Sequence, residues 1–453
     1  MGQHLSALDA TFLELEQDDP SAHMHIGGLL VFDPRPDGSI PSLDELVAHL
    51  DARLGDLPRY HERLSDTRVH GVRFPAWEFD PAVDLRDHVV RAALPAPGGT
   101  AELLEWVSNY WSHRLDRTRP LWDVALVEGL EGGRWALANR THHCMVDGVG
   151  SWDVGYAVLD TTPEPQQRAP YVPEPGRDRG RASTLLHAVD PRSVPELVSR
   201  SRAAAELLIR DELVPAPHTS LNDPIGTLRR IEAVRFDLPE LKAIKNRLGG
   251  TVNDVALAAV TGGLRALLLY RGEVPPKRGL RAMVPMNIRD AAEQLGLGNR
   301  ITSLFAHLPV SEPDPLLRYG RVVDETTRLK TGREPLGTKT VIELAALAPP
   351  ALHATLARTL FATRLFNVTI TNVPGPAMTL YALGSQLRDI YGLVPIAADH
   401  GLGVAILSYD GAVTFTINAD RHSVPDGDIF RTGIEEAVEE LQRIAAGAIP
   451  IAW

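Results

Sequence analysis

At 453 residues, with 44% hydrophobic and 23% charged, the chain is long enough for two domains and has the composition of a globular, not a disordered, protein. A net charge of -12 excludes the broad basic face that nucleic acid requires and disfavours wholesale attraction to anionic membranes, which leaves local patches as a route to a lipid surface. The one cysteine, Cys144, excludes an intramolecular disulfide and a cysteine-rich metal site, and suits a cytoplasmic protein.

The N-terminus lacks the charged-then-apolar pattern of a signal peptide. Gly2 and Ser6 match the loose myristoylation pattern, but Ser6 is better explained as the cap of a short helix from Ala7 to Glu14. His25 to Phe32 reads as a buried strand, and Ser42 with Glu45 forms a capping box ahead of Leu43, Leu46, Val47 and Leu50. Trp122 to Gly129 and Trp135 to Thr141 are strand-like runs joined through Glu131-Gly132-Gly133, a hairpin that sets His142 and His143 at a strand end. Asp147-Gly148 makes a turn, and a helix is expected from Ser151.

From Thr162 to Ser183 prolines and arginines replace any apolar period, which marks a linker, followed by a helix from about Pro195 to Leu213. In the second half Thr251 and Asp254 cap a strong helix carrying Val255, Leu257, Val260, Leu264 and Leu267. Strands are expected at Ala282 to Ile288, Ile301 to Val310 and Asn367 to Thr371. A hairpin is expected around Asp410-Gly411, with a final helix from Asp426 to Ala446. No run of about 18 apolar residues free of charge appears. Domains are thus expected at residues 1–161 and 222–453, with a linker and connecting helix over 162–221.

The chemistry concentrates in Thr141-His-His-Cys-Met-Val-Asp-Gly148, an H-H-x-x-x-D-G pattern. A histidine at a strand end can enter a channel and take a proton from a hydroxyl as that oxygen attacks a carbonyl, since its unperturbed pKa lies near working pH. Asp147 can brace the loop, and Gly148 permits a positive φ. Ordinary packed or surface histidines, a metal site using His142 or His143 with Asp147, and a Cys144 nucleophile stand as alternatives. No other ligand cluster completes a metal site, and no G-x-S-x-G elbow supports a serine esterase.

The same pattern is the hallmark of the CoA-dependent acyltransferase superfamily, which resembles chloramphenicol acetyltransferase in fold and includes peptide-synthetase condensation domains. Further segments make the whole chain similar to the bacterial wax ester synthase/acyl-CoA:diacylglycerol acyltransferase family. They are Leu5-Ser-Ala-Leu-Asp-Ala-Thr-Phe-Leu13 with His23-Met-His-Ile-Gly-Gly-Leu29, Pro120-Leu-Trp122, Asn253-Asp-Val-Ala-Leu-Ala258 and Thr371-Asn-Val-Pro-Gly-Pro376, which has Thr where the family has Ser. The resemblance implies an α/β (α+β) fold of two chloramphenicol-acetyltransferase-like domains, a pseudo-dimer with the active-site channel between them.

It also implies a transferase that moves a long-chain acyl group from acyl-CoA to diacylglycerol or a long-chain alcohol, making triacylglycerol or wax ester. His143 would be the general base, with no acyl-enzyme, no metal and no cofactor beyond acyl-CoA as co-substrate. Asp147 would be structural, paired with Arg289; His142, Gly148, Asn253, Asp254, Pro120 and Trp122 would support the site. Trp122 and Pro120 are expected to pack under the histidine loop, and Asp254 to act as a helix cap. Arg229, Arg230, Lys242, Lys245 and Arg247 offer either a CoA-phosphate cluster or a solvated face. Leu352, Leu356 and Leu360 offer either a lipid-surface helix or core packing. A condensation-type enzyme using a carrier-bound thioester and a non-catalytic lipid-droplet protein are the competing functions, and the expected location is cytoplasmic with peripheral contact to membrane or lipid droplet.

Overall fold

The computed structural model describes residues 3–5, 7–54, 57–65, 68–69, 72–73, 75–145, 158–164, 215–287, 301–330 and 365–447. Ser6, Asp147, Gly148, the helix expected from Ser151, most of the proline-rich linker, the Pro195 to Leu213 helix, Arg289 and the Leu352 to Leu360 stretch lie outside the described residues.

The first helix, α1, spans Ala7–Asp18 and so runs a turn beyond the Glu14 end expected from sequence. Leu15, Glu16 and Gln17 are good helix formers, and nothing breaks the run before Pro20. Helix α2, Leu43–Leu54, starts with the expected capping box: Ser42 Oγ accepts from the Glu45 N–H at 3.2 Å, and Glu45 Oε2 accepts from the Ser42 N–H at 2.8 Å. Helix α3 covers Thr100–Trp111.

Counting only the strands of the two large sheets, the first half supplies β1 (His25–Phe32), β2 (Val89–Ala93), β3 (Trp122–Glu128) and β4 (Trp135–His142). The β3–β4 hairpin turns where expected, with Gly132 and Gly133 at φ 76° and 70°, a region that favours glycine. Behind the sheet Trp135 stacks on Phe32 at 4.3 Å, and both are fully buried.

The second half supplies helices α4 (Leu238–Leu248), α5 (Val252–Tyr270), α6 (Pro315–Lys330) and α7 (Gly427–Gly447). Its strands are β5 (Arg229–Asp237), β6 (Leu280–Asn287), β7 (Ile301–Leu308), β8 (Val368–Pro374), β9 (Tyr381–Ala382), β10 (Ser385–Leu393), β11 (Leu402–Tyr409) and β12 (Ala412–Asp420). Six of them form one mixed sheet in the order β5-β12-β11-β8-β6-β7. α5 is long and apolar enough to cross a membrane by length and composition, yet it is a core helix. It crosses α7 at small residues: a Cβ on Gly263 would come within 2.8 Å of Ile434 and 2.9 Å of Phe430.

The other sheet runs β9-β10-β1-β4-β3-β2, so its first two strands come from the second half of the chain. β10 pairs antiparallel with β1, and Gly28 lies opposite Gly392. The Gly27-Gly28 pair has a steric reason: an added Cβ would stand 2.1 Å from the Asn139 carbonyl oxygen at one and 2.8 Å from that of Tyr391 at the other. A boundary at 161 or 222 therefore does not divide two self-contained sheets. The halves also meet at the edge strand β5, where Ser108 and Ser112 of α3 and its C-cap accept the N–H groups of Ile231 and Arg229 at 2.8 and 2.7 Å. These side chains occupy backbone donors that an open sheet edge would present.

Candidate active site

The end of β4 and the turn after it hold the two histidines. β1 and β4 pair so that His25 lies opposite His142, and the His142 N–H donates to the Leu121 carbonyl at 2.9 Å. The Pro120-Leu121-Trp122 segment thus pins the base of the histidine turn through its backbone. Trp122 is buried between His88, at 4.5 Å, and Tyr60, at 5.4 Å, and its indole N–H donates to the Tyr60 carbonyl. It belongs to the same buried core as Cys144 and Met145 of the turn.

His142 is fully buried and both its ring nitrogens are committed. Nδ1 accepts the Cys144 N–H at 3.1 Å, which places the proton on Nε2, and Nε2 donates to Glu16 Oε2 at 2.5 Å. Glu16 is itself buried and receives Arg114 Nε at 2.9 Å, with His25 Nε2 4.0 Å away. Burial pushes the Glu16 carboxyl up, but the His142 hydrogen bond and the Arg114 guanidinium outweigh it and hold the group below its usual range. Sequence reasoning missed this residue because it ended α1 at Glu14; the signal was the helical spacing of Phe12 and Glu16.

His143 follows on the turn, half-buried, with its N–H donating to the Met24 carbonyl at 2.8 Å and its ring stacked on Phe12 at 3.9 Å. Of the two histidines it has the less enclosed side chain. Asp147 and Gly148, expected to complete the motif, and Arg289, the expected partner of Asp147, lie outside the described residues. Cys144 is buried, and burial together with the charges of Asp9 and Glu16 drives its thiol well above the usual range. A protonated, enclosed thiol is a poor nucleophile.

Beside the turn, His23 and His25 are buried at 5.7 Å centroid separation. Burial and then the Arg229 charge push His23 down to about 4, and burial with Arg140 nearby takes His25 well below 6.5. A histidine with a depressed folded pKa takes its proton more readily when unfolded. Stability is therefore complete above about pH 6.5 and falls as pH drops towards 4, at about 1.4 kcal/mol per pH unit for one such group. Urea midpoints from pH 7.5 to 4 are expected to show this decline, with a shallower slope in His23→Gln; equal slopes would rule His23 out as its source.

The second half contributes a linked pair of motifs. Asn372 Nδ2, on β8, donates to Asn253 Oδ1 at 2.6 Å at the start of α5, joining the N-D-V and T-N-V-P-G-P segments. Asp254 is a cap, as expected: Oδ2 accepts the Thr251 N–H at 2.7 Å, and Oδ1 accepts the Thr326 hydroxyl at 2.6 Å. Gly375 is required because a Cβ there would lie 2.2 Å from the Ser408 carbonyl oxygen. Alanine at Asn253 and at Asn372 should each cost about 1 kcal/mol, with the double variant scarcely worse than either. Denaturant unfolding of the cycle checks this; additive losses would mean the two side chains act separately.

The structure does not gather the basic cluster considered for CoA phosphates. Arg229 is buried, 3.6 Å from Asp420, and donates to the carbonyls of Gly226 and Ser21; Arg230 pairs with Glu232 at 2.8 Å. Lys242, Lys245 and Arg247 lie on α4.

The mixed α/β architecture with a histidine pair at a strand end is that of the chloramphenicol-acetyltransferase-like acyltransferases. Residues 5–256 match the wax ester synthase/diacylglycerol acyltransferase catalytic domain, and residues 297–442 match the WS/DGAT C-terminal domain. The chain belongs to this family. It is 34% identical to the probable diacyglycerol O-acyltransferase tgs1 of Mycobacterium tuberculosis, over 98% of this chain and 96% of that protein. It is 32% identical to tgs2 of the same species, over 96% and 98%. Among solved structures it superposes on the wax ester synthase/diacylglycerol acyltransferase from Marinobacter aquaeolei VT8 with a TM-score of 0.73 and 27% identity, covering 98% of this chain and 100% of that one. The starter condensation domain of rhizomide synthetase RzmA shares the fold at a TM-score of 0.61 and 16% identity, over 99% and 96% of the two chains.

Proposed function

We propose that this acyltransferase moves a long-chain acyl group from acyl-CoA to the hydroxyl of diacylglycerol, and to long-chain alcohols, with His143 as general base. The observation that carries the reading is the contrast between the histidines: His142 is fully buried and bound at both nitrogens, while His143 is a half-buried ring on the turn beside it. Its imidazole takes the acceptor's hydroxyl proton as the oxygen attacks the thioester carbonyl. The carbon–sulfur bond then breaks, the oxygen ester is complete, and the imidazolium returns the proton to the CoA thiolate. No acyl-enzyme forms, and no metal or further cofactor enters. In this reading Asp147 and Arg289 brace the histidine loop, and the reaction takes place where a cytoplasmic enzyme meets a membrane or lipid-droplet surface.

The relatives named as diacylglycerol O-acyltransferases support the acceptor class. Free-thiol release from palmitoyl-CoA, measured with diacylglycerol, hexadecanol or no acceptor, tests the proposal. Acceptor-dependent release with matching ester is the expected result. Release without acceptor would replace it with a thioesterase, and ester formed only from a carrier-bound thioester would replace the donor.

A further inference from the structure

We propose that helix α1 is a positioning arm of the catalytic site, with Phe12 setting the orientation of His143 and Glu16 that of His142. Residues four apart on an α-helix lie one turn apart on the same face. Phe12 and Glu16 stand in that relation, and their targets are consecutive residues, His142 at the end of β4 and His143 at the start of the turn. The Phe12 and His143 rings stack with centroids 3.9 Å apart and planes 20° apart, so the phenyl face limits rotation of the imidazole. One turn on, Glu16 Oε2 holds His142 Nε2 at 2.5 Å.

The carboxylate is itself anchored. Arg114 Nε meets Oε1 at 2.9 Å, and the same guanidinium donates to the Glu16 backbone carbonyl, so the buried carboxylate cannot swing away without breaking its ion pair to the more exposed arginine. Held on one side by Glu16, the His142 ring accepts the Cys144 N–H on the other at 3.1 Å, and the Met145 N–H closes on the His142 carbonyl at 2.9 Å. His143 is carried on that closed turn. One helix face therefore fixes the ring of the base directly and its backbone through the neighbouring histidine. Neither Phe12 nor Glu16 is a catalytic residue; both act through the histidines.

The inference rests on His143 as general base, and its test keeps the two apart. In the full chain, kcat and KM for palmitoyl-CoA are measured at saturating diacylglycerol for Glu16→Ala, Glu16→Gln, Phe12→Leu and His143→Ala, with thermal unfolding alongside. Glu16→Ala and Phe12→Leu are expected to lower kcat by about 10- to 100-fold, the cost of a misplaced base, with KM within about twofold. Glu16→Gln keeps an oxygen for the His142 N–H and should recover most of the rate, which a role in bulk stability alone does not predict. Should Glu16→Ala fail to fold, Arg114→Met leaves Glu16 in place without its anchor and carries the same kcat-only expectation. Full kcat in folded Glu16→Ala and Phe12→Leu, a change confined to KM, or Glu16→Gln as impaired as Glu16→Ala would overturn the proposal. An active His143→Ala overturns the general-base reading instead; an inactive one beside full-rate Glu16 and Phe12 variants overturns only the positioning role.

Discussion

Alanine in place of His143 is expected to cut acceptor-dependent ester formation by about 10²- to 10⁴-fold, the range for loss of a positioned general base, while the protein stays folded. The second half of that statement follows from the surroundings of the ring. It is half-buried, its backbone hydrogen bond to Met24 survives the substitution, and the stacked Phe12 ring keeps its place on α1. Alanine at His142 should behave in the opposite way. That ring is fully buried, and its loss strands the Glu16 carboxylate and the Cys144 N–H, each a buried polar group deprived of a partner. Steady-state turnover with thermal unfolding on the two variants separates them. Near-normal turnover in a folded His143→Ala would remove the base assignment.

The largest loss of stability is expected at Arg140, two residues before the histidines. It lies buried on β4 across from Asp123 on β3, with Nε to Oδ1 at 2.9 Å and Nη2 to Oδ2 at 2.5 Å, a fork-to-fork pair. Its remaining nitrogen, Nη1, donates to the carbonyls of Tyr110 and His113 at 2.5 and 2.6 Å, and its guanidinium lies 4.0 Å over the Tyr110 ring. Leucine there would leave two carbonyls without their donor and the Asp123 carboxylate with only the Tyr110 hydroxyl, at a cost of roughly 3–5 kcal/mol. The network fastens the end of α3 to the hairpin that presents the histidines, so turnover should fall with the folded fraction. Urea unfolding of Arg140→Leu, Asp123→Leu and the double variant checks this, the double losing much less than the sum. A loss under 1 kcal/mol in the single variant would show that the network is solvent-screened.

How much of this was legible beforehand depended on whether the determining contacts were local. The Ser42–Glu45 and Thr251–Asp254 caps, the glycine turn before β4 and the hairpin at Asp410-Gly411 are set by residues a few positions apart, and they stand where expected. The His142–His143 pair was visible as a motif, and so was the Pro120-Leu121-Trp122 segment whose Leu121 carbonyl holds the His142 N–H. Glu16 was not, because its importance comes from His142, 126 residues later. Arg140 could have been found: a correct hairpin register through Gly132 and Gly133 sets it opposite Asp123. Arg229 was read as part of either a phosphate cluster or a solvated face and is buried instead, because only the folded chain brings Asp420 to it. The strand exchange by β10 had no local signal at all, since Ser385 to Leu393 reads the same whichever sheet it joins.

That exchange governs how the chain can be born. Until Leu393 has left the ribosome, β1 has one neighbour in place of two, and Leu29 and Val31 of the growing first half lie beside an unfilled edge. The histidine turn is tied to the start of the same strand, through Met24 and His25, so it is carried on a sheet that the N-terminal segment cannot complete by itself. Synthesis from the N-terminus thus holds an open sheet edge exposed for most of translation, the situation in which nascent chains pair wrongly and recruit chaperones. Long-range pairing of this kind also makes refolding slow. A fragment ending before Ser385 is expected to aggregate, and circular permutants that place β10 ahead of β1 should fold faster than the natural order.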